Sequence, residues 1–427
     1  MTAEPRTHRT APVVAGLLTA LVGFTSSYAV VLAGLRAVGA SPEQAASGLL
    51  VVCLTQALGM LWLTARHRLP LTLAWSTPGA ALLAGTGMVD GGWPAAVGAF
   101  CLVGALILGT AAWPRLGALI AAIPVPIAQA MLAGVLVSLC LEPVRAFAAH
   151  PLLVGPVVLT WLVLLRLAPR WAVPAAFAVA LVVLGASAAR DGGVTGALLP
   201  QLAWTTPELT WASALGIALP LFVVTMASQN VPGVAVMASY GYRVPWRETM
   251  VVTGLGTAAG APAGGHAINL AAITAALAAS PDAHPDPRRR WVAAHTAGWA
   301  YLVLALLSAA LTALVSSGPD GVVETVAGLA LLATLGSSLA AAAGPADGRE
   351  SAVVTFVVAA SGVTFLGIGA AFWALAAGLA VRWALSFRRR GTPSADAASG
   401  GAERDAEPET DAAAVPDAEP EPQTSTR

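Results

Sequence analysis

The chain alternates long apolar runs with short polar breaks, and the runs have the length that crosses a bilayer. A membrane-spanning helix takes roughly 20 apolar residues. The runs are continuous rather than alternating, which favours helices over the strands of a membrane barrel. The pattern predicts an all-α polytopic membrane protein with about fourteen spans, at residues 13–35, 46–65, 71–87, 95–112, 117–140, 151–168, 171–189, 212–238, 247–262, 264–280, 291–317, 321–343, 350–368 and 369–387.

The third and tenth spans are short, and each contains a polar or glycine-rich break. Residues 69–85 read LPLTLAWSTPGAALLAG, and residues 261–277 read APAGGHAINLAAITAAL. They occupy the same place in two consecutive sets of seven spans, and an odd number of spans inverts the second set. We therefore predict two inverted seven-span repeats, at 13–189 and 212–387, with a half-helix in each. Such paired interruptions indicate a transporter binding site.

The first break has the residues of a helix start. We predict Thr77 as the N-cap and Pro78 as the first helical residue, which gives an extended segment over 69–76 and a half-helix over 77–87. The amides of the three residues after Pro78 are then expected to be unpaired. A helix N-terminus with free amides at membrane depth favours an anion.

The second break contains two glycines and a histidine. Gly264 and Gly265 allow another backbone or a ligand to approach closely, and a helix is predicted to begin near His266. The two half-helix N-termini would then face each other. The alternative is that both breaks only kink packed helices.

Polar clusters also interrupt the first span of each half. Thr25 to Tyr28 form the first cluster, for which ordinary hydrogen bonding to the preceding helical turn is an equal explanation. The second contains Gln229 and Asn230, followed by Pro232. Two adjacent amides at membrane depth need partners, so this cluster is the more specific signal of a site.

Composition agrees with a membrane protein: 57% of residues are hydrophobic and 10% are charged, with a mean hydropathy of +0.75. Soluble domains carry about 25% charged residues. The three cysteines lie in apolar runs without metal-ligand spacing, so we predict no disulfide, metal or other cofactor. Motifs of hydrolases and metalloproteases are lacking, so we predict no enzyme, and nothing indicates nucleic-acid binding.

The net charge of zero hides an asymmetry. With the N-terminus in the cytoplasm, seventeen arginines fall in cytoplasmic loops and only Arg36, Arg145 and Arg190 fall outside. This places both termini in the cytoplasm. We expect a cytoplasmic N-tail over 1–12, an extracytoplasmic loop over 190–211, and a disordered acidic C-tail over 388–427.

One ionisable residue, His266, is predicted at membrane depth. Such residues are costly and usually functional. Because imidazole titrates near neutral pH, His266 is our candidate for proton coupling. The opposing interpretation is a neutral histidine that orients Asn269 or binds substrate without changing its protonation.

Several sequence blocks resemble the bacterial benzoate membrane transport family (BenE): WSTPGAALL (75–83), LPLFVVTMASQNVPG (219–233), GGHAINLAAITAA (264–276), AHPDPRRR (283–290) and TFLGIG (364–369). The resemblance covers about 13–387. It implies proton-coupled uptake of benzoate or a related aromatic carboxylate. It also implies a core domain (spans one to four and eight to eleven) that moves like an elevator against a gate domain (five to seven and twelve to fourteen), and a possible homodimer.

By this resemblance the substrate lies between the two half-helices, flanked by spans one and eight. Phe24, Tyr28 and Met226 are candidates to wall its ring. The predicted substrate-binding residues are Ser76, Thr77, Gly79, Ala80, Gln229, Asn230, Gly265, His266, Asn269, Thr25 and Tyr28. Related nucleobase permeases resemble one another in carrying a glutamate on the eighth span, where this chain has neutral amides, which favours an anion. The alternative is that the protein is a transporter or channel for another substrate, either an inorganic anion such as sulfate or a nucleobase.

Overall fold

The computed structural model describes residues 6–113, 115, 122–190, 192–345 and 348–390, and these are mostly helical. Two three-residue strands, β1 (Leu73–Trp75) and β2 (Ile268–Leu270), pair antiparallel. The helices are α1 (Arg6–Ala37), α2 (Pro42–His67), α3 (Thr77–Thr86), α4 (Gly92–Ala112), α5 (Val125–Ala149), α6 (Pro151–Leu167), α7 (Pro169–Arg190), α8 (Trp211–Ser239), α9 (Trp246–Gly260), α10 (Ile273–Ala279), α11 (Trp291–Leu306), α12 (Ser308–Ser316), α13 (Val322–Ala343), α14 (Arg349–Ala360) and α15 (Ala370–Arg390).

Seven of the described helices are long and apolar enough to cross a bilayer, so the chain is a polytopic membrane protein; they are α1, α2, α4, α5, α7, α8 and α13. Helices α11 and α12 meet the same criterion only as a pair, bent by 47°. The span predicted over 291–317 corresponds to this bent pair and is interrupted at Leu307. At the break, the Leu307 N–H bonds to Leu304 O, three residues back instead of four.

The two short segments differ from each other. The first agrees with the prediction of an extended stretch followed by a half-helix, since β1 leads into α3. In the second, the helix predicted to begin near His266 begins only at Ile273. The residues in between form β2, because their backbone groups pair with β1, and local sequence does not reveal such a partner.

Helix α8 contains two wider π turns, Ala214–Ala218 and Met226–Asn230. Each ends two residues before a proline, Pro220 and Pro232. Proline lacks the N–H that an α-helix needs and its ring crowds the preceding turn, and a π turn accommodates such a break inside a continuous helix. The second π turn carries the predicted site residues Gln229 and Asn230.

The core lies around α1, which packs against α3, α11 and α13, while α5 packs against α13 and α14. Close contact depends on small residues: a Cβ on Gly34 would lie 2.3 Å from Ala80 O of α3. The described residues up to Arg382 form one compact unit, and those from Trp383 to Arg390 belong to a second. The start of the predicted span 117–140 and the acidic tail from residue 391 lie outside the described residues, as do residues 1–5.

Candidate functional site

The two half-helices meet at the β1–β2 ribbon. Leu73 pairs with Leu270 and Trp75 pairs with Ile268, and the Ser76 N–H donates to Ala267 O at 2.8 Å. Because the strands are antiparallel, α3 and α10 leave the ribbon at opposite ends. The three paired positions of the ribbon lie between the two helix starts, which places these starts at least roughly 10 Å apart. One small carboxylate therefore contacts only one of the two N-termini at a time.

The first turn of α3 is capped by Ser76. Its Oγ accepts the Gly79 N–H at 3.1 Å and shares a 2.8 Å hydrogen bond with Thr225 Oγ1 of α8. The Ala80 N–H donates to Ser76 O at 2.8 Å. The prediction of Thr77 as N-cap is wrong by one residue, because the strand keeps Ser76 extended and Thr77 is already helical. The expectation that the Gly79 and Ala80 amides are free is also wrong.

Two polar side chains of the β2 segment, over residues 266–270, are buried without hydrogen-bond partners among the described residues. His266 is 1% exposed and Asn269 is fully buried, and neither ring nitrogen of His266 nor either amide atom of Asn269 is paired. The His266 ring lies beside the Ser76 backbone and meets the Phe100 ring edge-on, with centroids 6.5 Å apart. Unpaired buried polar groups are costly, so this pair marks the best place for a ligand.

Asn230 has a structural partner. Its Oδ1 accepts the Leu270 N–H at 2.9 Å, and its Nδ2 lies 3.2 Å from Met226 Sδ. The adjacent Gln229 is 9% exposed and has no hydrogen bond within the described residues. Of the two amides that the sequence singled out, Asn230 holds the ribbon and Gln229 stays available.

The polar residues of α1 differ in whether they contact the ribbon or only their own helix. Thr25 Oγ1 donates to Leu21 O at 2.7 Å, which is the ordinary back-bonding alternative. Ser27 accepts Trp75 Nε1–H at 2.8 Å and so holds β1. The Tyr28 ring stacks on Phe24 at 5.4 Å between centroids. Tyr28 and Phe24 thus belong to an aromatic cluster beside the ribbon, while Thr25 has no hydrogen bond to the ribbon in the described chain.

Gly264 and Gly265 make the predicted close backbone contact, but with protein. Gly264 has φ +89°, and a Cβ there would lie 3.0 Å from Gln44 O. The Gly265 N–H donates to Gly260 O at 3.0 Å. Helix α2 therefore occupies the space beside Gly264.

Sequence reasoning did not identify Phe100 or Thr257 as neighbours of the site. Thr257 Oγ1 accepts the Ile268 N–H at 3.0 Å and thus supports β2. Neither residue stands out from its apolar helix, because their contacts are set by packing between distant segments.

The electrostatics of the described residues favour an anion over a cation. No Asp or Glu side chain among them is buried, and no group of three or more His, Cys, Asp or Glu that can hold a metal occurs in that part of the chain. The α3 N-terminus contributes partial positive charge.

Comparison with known proteins agrees with this architecture. The profile of the family described as benzoate membrane transport protein (BenE) matches residues 6–384. The chain is 40% identical over 367 residues to the inner membrane protein YdcO of Escherichia coli K12, covering 86% of this chain and 93% of YdcO. It is 30% identical over 371 residues, with coverage of 86% and 93%, to the benzoate membrane transport protein of Acinetobacter baylyi.

Solved transporters share the fold. The transmembrane domain of the cyanobacterial bicarbonate transporter BicA superposes with a TM-score of 0.56 at 14% identity, covering 87% of this chain and 97% of that domain. The murine anion transporter Slc26a9 in its inward-facing state superposes with a TM-score of 0.60 at 12% identity, covering 90% of this chain and 69% of Slc26a9. At such identities the likeness concerns the fold alone.

Proposed function

This chain belongs to the benzoate membrane transport family, and we propose that it imports benzoate or a related aromatic carboxylate as a secondary active transporter. It is a multi-pass bacterial inner membrane protein, and its family and fold neighbours are transporters rather than enzymes. The name of the Acinetobacter baylyi relative supports benzoate as the substrate.

The observation that carries this proposal is the pair of buried, unpaired polar side chains at the cap of α3. His266 and Asn269 lack partners in the described structure, and each unpaired buried group costs about 1–3 kcal/mol. A ligand that satisfies them removes that cost. The carboxylate is the expected group, because the α3 dipole attracts an anion and no described buried carboxylate repels it.

In our proposal the carboxylate binds between His266 and the first turn of α3. Ser76 Oγ rotates away from the Gly79 N–H and lets a carboxylate oxygen replace it, a charge-assisted bond that is stronger than the neutral one. Phe100 or the Phe24–Tyr28 cluster packs on the ring. The proposed substrate-binding residues are Ser76, Thr77, Gly79, Ala80, Gly265, His266 and Asn269, joined by Gln229 and Asn230 of α8 and by Thr25 and Tyr28 of α1.

We further propose alternating access by an elevator-like movement of a core domain against a gate domain. The fourteen spans would form inverted repeats over 13–189 and 212–387, with both termini cytoplasmic and two copies forming a homodimer. The antiparallel β1–β2 pair supports the inversion, since each strand leads into a half-helix of its own half. The arginine distribution supports the orientation.

His266 is the proposed proton carrier, because no other described ionisable side chain lies at the ribbon with both its polar atoms unpaired. Protonation would place a cation beside the arriving carboxylate and couple the two. A neutral His266 that only binds substrate is the competing possibility.

Uptake into proteoliposomes tests the function and the coupling separately. Labelled benzoate should enter saturably when the outside is acidic, whereas a channel gives no saturation. In a His266→Gln variant, uptake driven by the pH gradient should be lost while exchange of benzoate against internal benzoate persists. Gradient-driven uptake by His266→Gln would exclude His266 as the carrier, and failure of the native protein to move benzoate would exclude the function.

A further inference from the structure

A cavity of about 390 Å³ lies apart from the ribbon, where α1 ends and α2 begins. Its floor is the start of α2, one wall is the last two turns of α12, and its roof is the segment 195–203, called here the strap. Ligand pockets for small molecules begin at roughly 300 Å³. The cavity is on the face that the arginine distribution assigns to the outside.

The strap is held by a hydrogen bond at each end, and it is mostly apolar between them, with Gln201 as the polar exception. The Thr195 N–H donates to Ser317 Oγ at 2.9 Å, and the Ala203 N–H donates to Ser47 Oγ at 3.0 Å. Between these anchors, Leu199 and Leu202 are 78% and 66% exposed, and both line the cavity. These two leucines give the roof of the cavity an apolar surface on which an aromatic ring can pack.

The last residue of α12 contacts a cation, the Arg36 side chain of α1. Arg36 donates from Nη2 to Ser316 Oγ, and Ser316 lines the cavity. The Ser316 hydroxyl gives its own proton to Thr312 O at 2.8 Å, so it only accepts from Arg36. The described residues place no carboxylate within 4 Å of this guanidinium. Arg36 does not itself line the cavity; a carboxylate bound beside Ser316 would pair with the remaining N–H groups of this guanidinium.

The same wall leads towards the ribbon. Thr312 lines the cavity and donates its hydroxyl proton to Ser308 O at 2.8 Å. The fully buried Tyr28 must therefore be the donor in the 3.4 Å bond between its hydroxyl and Thr312 Oγ1. Tyr28 stacks on Phe24, whose ring is 5.7 Å from that of Trp75, the last residue of β1. A continuous series of side chains connects the cavity with the proposed substrate site.

We propose that this cavity is an outer capture site for the aromatic carboxylate, occupied before the substrate reaches the ribbon. The ring packs under Leu199 and Leu202, and the carboxylate pairs with Arg36. Charged groups near a cleft raise the local concentration of an oppositely charged ligand and its association rate. This inference rests on the proposed function.

Glu43 provides the opposing charge. Its carboxylate lines the cavity and accepts the Ser41 hydroxyl at 2.8 Å. It repels an arriving anion, so it weakens capture, whereas Arg36 strengthens it. Removing the Arg36 charge should therefore weaken the apparent affinity for benzoate, and removing the Glu43 charge should strengthen it. Misfolding cannot produce this pair of opposite effects.

The test measures the KM for external benzoate in proteoliposomes of defined orientation. Arg36→Gln should raise KM about tenfold with kcat nearly unchanged, and Arg36→Lys should restore part of the affinity. Glu43→Gln should lower KM about two- to threefold. Arg145→Gln is the matched control, because Arg145 is predicted on the same face and pairs with Glu142 at 2.8 Å; it should leave KM unchanged. The Arg36 effect should shrink at high salt.

The outcomes separate the two proposals. If the native protein transports benzoate and Arg36→Gln has the same KM as Arg145→Gln, the capture site is wrong and the transporter function stands. The same conclusion follows if Arg36→Gln and Glu43→Gln shift KM in the same direction. If the native protein does not transport benzoate, the proposed function fails and the capture site fails with it.

Discussion

Asn230 and Leu270 are joined across the centre of the structure by a buried hydrogen bond, in which Asn230 Oδ1 accepts the Leu270 N–H at 2.9 Å. Leu270 is the last residue of β2 and pairs with Leu73 of β1. The bond therefore attaches the ribbon to the π turn of α8. An amide at position 230 reads as a substrate ligand in the sequence, yet its acceptor atom already supports the site.

Asn230→Ala should lower the free energy of unfolding by about 1–3 kcal/mol, because it leaves the Leu270 N–H buried without an acceptor. Thermal unfolding of the purified protein measures this. Ser239→Ala is the control, since the Ser239 hydroxyl makes only an exposed bond to Val236 O. Equal unfolding midpoints for the two variants would contradict the supporting role.

Asn230→Asp keeps the acceptor but introduces a buried negative charge. Folding should persist at lowered stability, while benzoate uptake should fall more than tenfold because the charge repels the carboxylate. The comparison of uptake per folded molecule separates this effect from misfolding. Undiminished uptake would argue against a carboxylate at the ribbon.

Ser76→Ala should destabilise the protein by about 1 kcal/mol, the usual cost of removing a serine N-cap. Ser76→Thr keeps a hydroxyl that accepts from the Gly79 N–H and should stay close to the native unfolding midpoint. Thr225→Val removes the second partner of Ser76 Oγ without removing the cap. If Thr225→Val lowers the free energy of unfolding as much as Ser76→Ala does, the hydrogen bond between the two hydroxyls, rather than the cap, stabilises this turn.

Arg290 closes the far end of the second half-helix. Its Nη1 donates to Ala279 O of α10 at 2.9 Å and its Nε to His284 O at 2.8 Å, and the side chain is 6% exposed. Arg290→Gln should cost about 2 kcal/mol or more, because hydrogen bonds to charged groups contribute about 1.5–3 kcal/mol each. The exposed neighbour Arg288 offers the matched change, Arg288→Gln, with little expected effect. Similar unfolding midpoints would rule out this role.

Gly48→Ala should destabilise the contact between α2 and the chain before β2. A Cβ at position 48 would lie 2.5 Å from Gly264 O, whereas one at Gly185 of α7 would meet nothing within 4 Å. The expected cost of the first change is about 1–3 kcal/mol. Gly185→Ala should instead be neutral or stabilising by about 0.5–1 kcal/mol. Thermal unfolding of both variants tests whether Gly48→Ala lowers the unfolding midpoint while Gly185→Ala keeps or raises it.

The sequence predicts those parts of the fold that local chemistry determines. The apolar runs give the helices, and the Ser76–Pro78 stretch gives the start of α3 within one residue. The beginning of α10 was not predictable, because the intervening residues pair with a strand almost 200 positions earlier. The break at Leu307 has no proline or glycine to signal it.

In the candidate site, too, the sequence predicts what local chemistry determines and misses what depends on distant segments. His266 and Asn269 are recognisable because polar residues at membrane depth are exceptional. The contacts of Phe100 with His266 and of Thr257 with β2 come from the packing of separate helices. The roles of Asn230 and Gly264 also depend on tertiary partners, so the sequence identifies them as unusual without revealing what they bind.

Competition for uptake tests the central claim most directly. Labelled benzoate enters proteoliposomes of the native protein in the presence of excess unlabelled benzoate, substituted benzoates, sulfate or uracil. We predict that benzoate and its close analogues abolish the labelled uptake, while sulfate and uracil leave it unchanged. Competition by sulfate or uracil, with none by substituted benzoates, would contradict an aromatic carboxylate site at the ribbon.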